Sequence, residues 1–351
     1  MDFQVDAIEG EANPAEITAH LGSDQAADTI TLTPDNSARI RVPGDQFVKY
    51  GKQVHFGVSL SDPAALLSAG VLPAGAAFDA ADGEFHWTPD VTQLGAHTVD
   101  FRGVGADGAK VKATVNIQVD SGEPVVTAVV NAASRSSKLA CSPGALASVE
   151  GRWLTEEPAA ADSSGFADGL GGTRLLINGV TVPILAASRS ELTFRCPDAA
   201  PGSDLEVVVQ NSHGIAAPVR TTAQPAAPGI FSINGSGGGQ GSVVLDDGHS
   251  LAMIRNYRFD ALPALPGDHV TIYATGLDRL LNVRARLGTV SVAPDAVVAL
   301  PDHPGVFQVE ITVPRDMTPS NSVLLLLTGD TADGGSINTN SVEIAIESKA
   351  I

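Results

Sequence analysis

The chain of 351 residues is longer than a single hydrophobic core usually organises, and at ~100 residues per sandwich domain it has room for about three. Hydrophobic residues make up 43% but aromatics only 5%, with 36 Gly and 22 Pro, a composition of aliphatic strands broken by frequent turns. A formal net charge of −19 repels phosphate backbones and anionic lipid, which excludes nucleic acid as a partner, and no run of ~20 apolar residues is present for membrane insertion.

The opening residues Met1-Asp2-Phe3-Gln4-Val5-Asp6 lack the basic-then-apolar order of an export signal. An extracellular or cell-surface location therefore implies a signal removed ahead of this numbering. Ile30-Thr31-Leu32 and Ala38-Arg39-Ile40-Arg41-Val42 read as strands. Asp62-Pro63 before Ala64-Ala65-Leu66-Leu67, with Gly70 as a stop, predicts one or two helical turns, because Asp caps and Pro is favoured at the first helical position.

Strand patterns then dominate. Phe85 and Trp87 alternate with polar neighbours and share a face, as do Val99 and Phe101 on the next strand, so the two strands can close one side of a core. Asp82-Gly83 marks a tight turn ahead of the first. Val111, Ala113, Val115, Ile117 and Val119 alternate in a final strand. The segment Leu72-Pro73-Ala74-Gly75-Ala76-Ala77-Phe78-Asp79, then Phe85-His86-Trp87-Thr88-Pro89, then Gly95, Val99 and Phe101 resembles the cadherin-like immunoglobulin domains of bacterial surface proteins. The resemblance covers most of residues 40–120 and implies an immunoglobulin-type sandwich.

Asp120-Ser121-Gly122-Glu123-Pro124 reads as a short polar linker. Beyond it, Val129 to Ser134, Ala145 to Val149, Leu175-Leu176-Ile177, Glu191 to Pro197 and Leu205 to Val209 supply strands, and Asn178-Gly179 is the strongest hairpin signal in the chain because both residues tolerate positive φ. Thr155 to Gly172, rich in Ala, Gly, Asp and Ser, reads as a long exposed loop.

A further unit starts near Ala227-Pro228-Gly229-Ile230-Phe231 and repeats the one before it. Pro143-Gly144 and its following strand recur as Pro266-Gly267 and Val270 to Leu277, and the strand ending at Pro197 recurs as Phe307 to Pro314. Val129-Val130-Asn131-Ala132-Ala133-Ser134, Ala227 to Phe231, Gly239-Gln240-Gly241, Thr271 to Leu277 and Asn340-Ser341-Val342 together resemble a C-terminal domain family of unknown function expanded in acidobacterial secreted proteins. Arg195-Cys196-Pro197 departs from that pattern, so the resemblance carries no disulfide. The expected architecture is all-β, a tandem of immunoglobulin-like β-sandwich domains divided at 1–121, 125–225 and 226–351.

Cys141 and Cys196 fall in one expected domain, as either a disulfide or two buried apolar residues; a bridge would close a loop valued at roughly 4 kcal/mol by chain entropy. Gly235 to Gly241 has the glycines of a phosphate loop but precedes a strand pattern rather than a helix, which favours a flexible connection. Gly248-His249-Ser250-Leu251-Ala252 lacks the strand-to-helix setting of a nucleophile elbow. The eight histidines show no helical or hairpin zinc spacing, and sheet-surface roles are expected for them.

Calcium is the one cofactor the acidic turns could take. Asp79, Asp82, Asp120, Asp246 and Asp247 are the candidate ligands, with turn formation as the competing role. Trp153 and Tyr257 lie near loops and are the candidate ligand platform. The pattern points to a non-catalytic extracellular module that spaces, adheres or binds another surface protein. The alternative is a set of polysaccharide-binding accessory domains of a larger secreted enzyme.

Overall fold

A computed structural model describes residues 19–21, 24–26, 39–61, 66–105, 108–161, 166–255 and 257–348. The chain forms two compact units, 1–121 and 122–351. Strands account for the regular structure of the described residues apart from one 3₁₀ turn, Val91–Gln93.

In the first unit, the strands Gln46–Lys49, Lys110–Asp120, Gly95–Val104 and Leu66–Ala69 form one sheet in that order, and Val54–Gly57, Glu84–Trp87 and Ala77–Asp79 form another. Period-two alternation turns Phe85, Trp87, Val99, Phe101, Val115, Ile117 and Val119 into a shared core, each at most 1% exposed. Phe56 stacks on Phe85 at 4.7 Å, and Phe101 meets both edge-on. The Trp87 indole N–H donates to Ala74 O at 3.1 Å, so the largest core residue buries no unmet donor.

The helix expected after Asp62-Pro63 does not form in its described part. Residues 62–65 lie outside the described residues, and Leu66–Ala69 is a strand paired antiparallel with Phe101–Val104. Leu67 and Ala69 pack on the core while Leu66 and Ser68 face out, so a distant strand overrides a local helix signal. Ile30-Thr31-Leu32 lies outside the described residues, whereas Ile40–Arg41 is a strand paired with Ser59–Leu60.

Residues 122–351 hold two further cores, each between two sheets. In the middle sandwich one sheet runs Val125–Asn131, Leu146–Arg152, Glu191–Arg195, Ile184–Ala187, Ala159–Ala160. The other is built on Val180–Val182, Arg174–Ile177 and Asp204–Asn211. Asn178 and Gly179, at φ 51° and 78°, make the expected hairpin turn between Arg174–Ile177 and Val180–Val182. The stretch expected as a long loop also contributes structure: Ala159–Ala160 pairs with Ala186–Ala187, and the Thr155 hydroxyl donates to Gly171 O. The short strand Ala159–Ala160 thereby forms the edge of that sheet.

The last sandwich repeats this plan. His269–Thr275 pairs with Val306–Thr312 as Leu146–Arg152 pairs with Glu191–Arg195. The turn hydrogen bonds correspond atom for atom. Gly144 N donates to Cys196 O and Cys196 N to Ala145 O, while Gly267 N donates to Val313 O and Val313 N to Asp268 O. On this alignment Ala264 and Val313, both fully buried, occupy the places of Cys141 and Cys196.

The two sandwiches meet at a buried polar joint. Asn131 Nδ2 donates to Ala227 O at 2.7 Å, and its Oδ1 accepts from Ala133 N and Ser134 N at 2.9 Å. Thr275 Oγ1 accepts from Leu146 N and donates to Gly305 O. Beside the joint and within the last sandwich, Asn340 bonds both backbone groups of Ile230 and Gly237 O. Close approach here requires glycine: a Cβ on Gly276, at φ +71°, would lie 2.0 Å from Ala227 O, and one on Gly237, at φ +78°, 2.4 Å from Ser134 O. Within the Gly235 to Gly241 segment, expected as a flexible connection, Gly237 packs on Ser134 and Gly241 on Val342, while Gly235, Ser236 and Gly239 are exposed.

Cys141 and Cys196 form a disulfide with a Cα separation of 5.7 Å, joining points 55 residues apart. Reduction is expected to lower unfolding free energy by up to about 4 kcal/mol, from the loop-entropy relation. Because the last sandwich manages with Ala264 and Val313, the reduced chain is expected to stay folded, with a lower urea midpoint by tryptophan fluorescence. An unchanged midpoint would contradict this.

Candidate functional site: an exposed aromatic loop

The five candidate calcium ligands fall at three places in the chain: two turns, with Asp79 and Asp82 in one and Asp246 and Asp247 in the other, and the end of the strand Lys110–Asp120. Asp79 Oδ1 accepts from Ala81 N at 2.8 Å within the turn before Glu84–Trp87, and Asp82 is exposed in the same turn. The Asp120 carboxylate accepts from Gln118 Nε2. Asp247 Oδ1 accepts from His249 N at 3.0 Å and Ser250 N at 2.8 Å, with Asp246 exposed beside it. None of the five belongs to a group of three converging His, Cys, Asp or Glu ligand atoms among the described residues. Asp79 and Asp247 make these bonds within their own turns.

Ser250 of the elbow-like segment is buried and leads into the strand Leu251–Ala252, with no helix following it. A cavity in residues 122–351, about 790 Å³, is lined by Ile177, Val180, Pro183, Arg195, Pro197 and Asp278 among others, and by no histidine. Burial pushes the Asp278 carboxyl above its usual range, against the pull of Arg195 and Arg279. Arg279 Nη2 also donates to Asp198 Oδ1 at the cavity rim.

Trp153 and Tyr257 lie on different sandwiches. Trp153 is half-buried at φ 55°, with its carbonyl accepting from Asn211 Nδ2. Tyr257 is 73% exposed, on the loop joining the parallel strands Leu251–Ala252 and Ala261–Leu262. Phe259, which sequence reading did not single out, is 99% exposed on the same loop, beside exposed Ile254 and Leu262. Isolated exposed apolar residues are ordinary; three on one short loop, with a fourth on the strand that follows it, are not.

The loop's base is fixed while its rings stay outside. Met253 is buried and its N donates to Leu262 O, and Leu251 N donates to Asp260 O. Arg258 forks onto both oxygens of Asp260 at 2.9 and 3.2 Å. Arg255 donates to Glu347 at 2.8 Å and holds that carboxyl below its usual range. Rings presented on a pinned base offer flat apolar faces at low ordering cost, which suits a sugar ring or a protein pocket.

Sequence reading also missed a histidine pair. His55 and His86, far apart in the chain, are stacked across neighbouring strands. The alternation that places Phe85 and Trp87 inside places His86 outside, but only the strand register reveals its partner.

The family model described as Putative Ig domain matches residues 29–120. No curated protein matches the chain. Among solved structures, the chain is similar to SGBP-B of the Bacteroides ovatus mixed-linkage glucan utilization locus, in complex with a mixed-linkage heptasaccharide. That likeness has 14% identity, covers 90% of this chain and 72% of that one, and has a TM-score of 0.32. It is also similar to Drosophila OTK extracellular domains 3–5, at 11% identity over 90% and 98% of the two chains with a TM-score of 0.20. A third likeness is to protocadherin gamma B2 extracellular cadherin domains 3–6, at 13% identity over 89% and 73% with a TM-score of 0.22. At such low TM-scores the superpositions carry no argument, and the fold assignment rests on the chain's own sheets.

Asp247 gives this region a pH signature. Hydrogen bonds from the Ser250 hydroxyl and from the His249 and Ser250 N–H groups lower its carboxyl to about 2. Because the folded value lies below the unfolded one, the stabilising contribution is full above the ordinary carboxylate range and is lost as pH falls through about 2. The amide resonances of His249 and Ser250 are expected to titrate near that pH and to stop titrating in Asp247→Asn. A midpoint near ~3.9, the value of a free Asp, would contradict the capped turn.

Proposed function

We propose that the chain is a non-catalytic extracellular or cell-surface module of three immunoglobulin-like domains, 1–121, 125–225 and 226–351, that binds a surface protein through the loop between Ala252 and Ala261. In this reading residues 129–346 are a tandem of the domain family expanded in acidobacterial secreted proteins. The observation that carries the proposal is the exposure of Tyr257 and Phe259 on a base held by the Arg258–Asp260 and Arg255–Glu347 ion pairs. A disulfide in a chain of this kind fits an oxidising, extracytoplasmic compartment.

The alternative, a polysaccharide-binding accessory region, draws on the same two rings, since an exposed aromatic face suits the apolar face of a sugar. The double substitution Tyr257→Ala and Phe259→Ala tests the loop, and protease treatment of the cells together with glycan-array binding separates the two readings. Beads coated with the full chain are expected to adhere to bacterial cells, and the double variant to lose adhesion by ~tenfold or more, as for aromatic hot spots elsewhere. Thermal stability should be unchanged, because both side chains are solvent-exposed. Adhesion abolished by protease treatment of the cells supports a protein partner. Protease-resistant adhesion together with specific glycan-array binding supports the alternative. Equal adhesion of chain and double variant would remove the loop from either role.

A further inference from the structure

The outward face of the three-stranded sheet in the first unit carries a cluster that neither the core nor the proposed interaction loop uses. His55 stands directly opposite His86 across the antiparallel strands Val54–Gly57 and Glu84–Trp87, and Glu84 lies two residues before His86 on the same face. The imidazoles are stacked with centroids 4.4 Å apart and planes within 10°. Glu84 Oε2 is 2.6 Å from His55 Nε2. One ligand atom from each of the three residues lies within 4.8 Å of the others, and this is the one such triplet of His, Cys, Asp or Glu among the described residues.

The core beneath holds this arrangement in place. On the inner face of the same two strands, Phe56 is paired with Phe85 and Val54 with Trp87, all buried. A slip of one residue would turn four large side chains into solvent, so the histidine register is as secure as the core itself. Gly57 is the cross-strand partner of Glu84, and Glu84 Oε1 is 3.5 Å from where a Cβ on Gly57 would lie. With only a hydrogen there, the carboxylate lies over the glycine within reach of His55. On the other side Asp79 is the partner of Glu84, which adds negative charge beside the cluster.

We propose that His55, Glu84 and His86 form a binding site for a divalent transition-metal ion, with zinc as the ion to test. Two imidazoles and one carboxylate are the donor set that borderline ions favour, whereas calcium requires six or more oxygens. Metal bonds of about 2.0–2.1 Å in a tetrahedral site place ligand atoms roughly 3.4 Å apart, so the His55–Glu84 pair at 2.6 Å opens by ~0.8 Å and the widest pair, within 4.8 Å, closes by at most ~1.4 Å, shifts that side-chain rotation supplies with the strands unmoved. The ion takes the place of the hydrogen between His55 Nε2 and Glu84 Oε2, and the neutral imidazole keeps its proton on Nδ1. The fourth corner of the tetrahedron opens outward and is free for water or for a donor from a bound partner.

The test uses the untagged full chain, treated with EDTA, dialysed and titrated with zinc chloride by calorimetry. One zinc ion per chain is expected, with affinity at least ~tenfold weaker in His55→Ala, His86→Ala and Glu84→Gln. His303→Ala, an exposed histidine in the other unit, is expected to bind as the parent does. In the folded parent chain, the imidazole nitrogen resonances of His55 and His86 are expected to shift at saturation, a readout independent of how any variant folds. Stoichiometric binding that survives both histidine substitutions, or histidine resonances unmoved by saturating zinc, would overturn the assignment.

Discussion

Asn131 is fully buried, and a buried carboxamide is tolerated only where its hydrogen bonds are made. Here it caps its own chain through Ala133 N and Ser134 N and reaches across to Ala227 O of the last sandwich. Removing it would orphan the buried Ala227 O and Ala133 N, at about 1–3 kcal/mol each. Thr275 mirrors it from the other side, accepting from Leu146 N of the middle sandwich. Satisfied polar contacts of this kind have one geometry, unlike an apolar interface that can slide, and this fixes the pair of sandwiches in residues 122–351. The glycines at 237 and 276 follow from the same constraint, because backbones this close leave no room for a side chain.

Within that frame, the two sandwiches of residues 122–351 solve the same topology with different reinforcement. The middle one cross-links Cys141 to Cys196, and the last fills the equivalent places with Ala264 and Val313. The last instead extends its sheet with Leu251–Ala252 and Ala261–Leu262, and the connection between these two strands carries the exposed rings. A rigid scaffold with one side-chain-rich excursion is how sandwich proteins commonly present contact residues. The first unit puts its exposed chemistry on a sheet face, where the strand register sets the spacing of His55 and His86.

Much of this was legible in the residues. The alternation around Phe85, Trp87, Val99 and Phe101 identified the first core, Asn178-Gly179 identified a hairpin, and the paired Pro-Gly turns exposed the internal repeat. These are local or periodic signals. What the sequence hid depends on residues remote in the chain. Leu66–Ala69 is a strand because Phe101–Val104 lies beside it, despite a helix-like start. The Gly235 to Gly241 segment looked loose because Ser134 and Asn340, which pack on it, are far away. His55 and His86 each looked like an ordinary surface histidine until strand pairing placed them together. Phe259 lies in a segment with no alternation, so no pattern marked its face as exposed.

The claim on which most depends is that the middle and last sandwiches of residues 122–351 behave as one body through their polar joint. Hydrogen exchange of the intact chain across a urea series tests it, following core peptides around Leu192–Phe194 and Val207 and others around Ile272 and Val309. The account predicts that the slowest amides of both cores open together at one free energy. A middle core that opens while the last stays protected would show that the joint does not couple them.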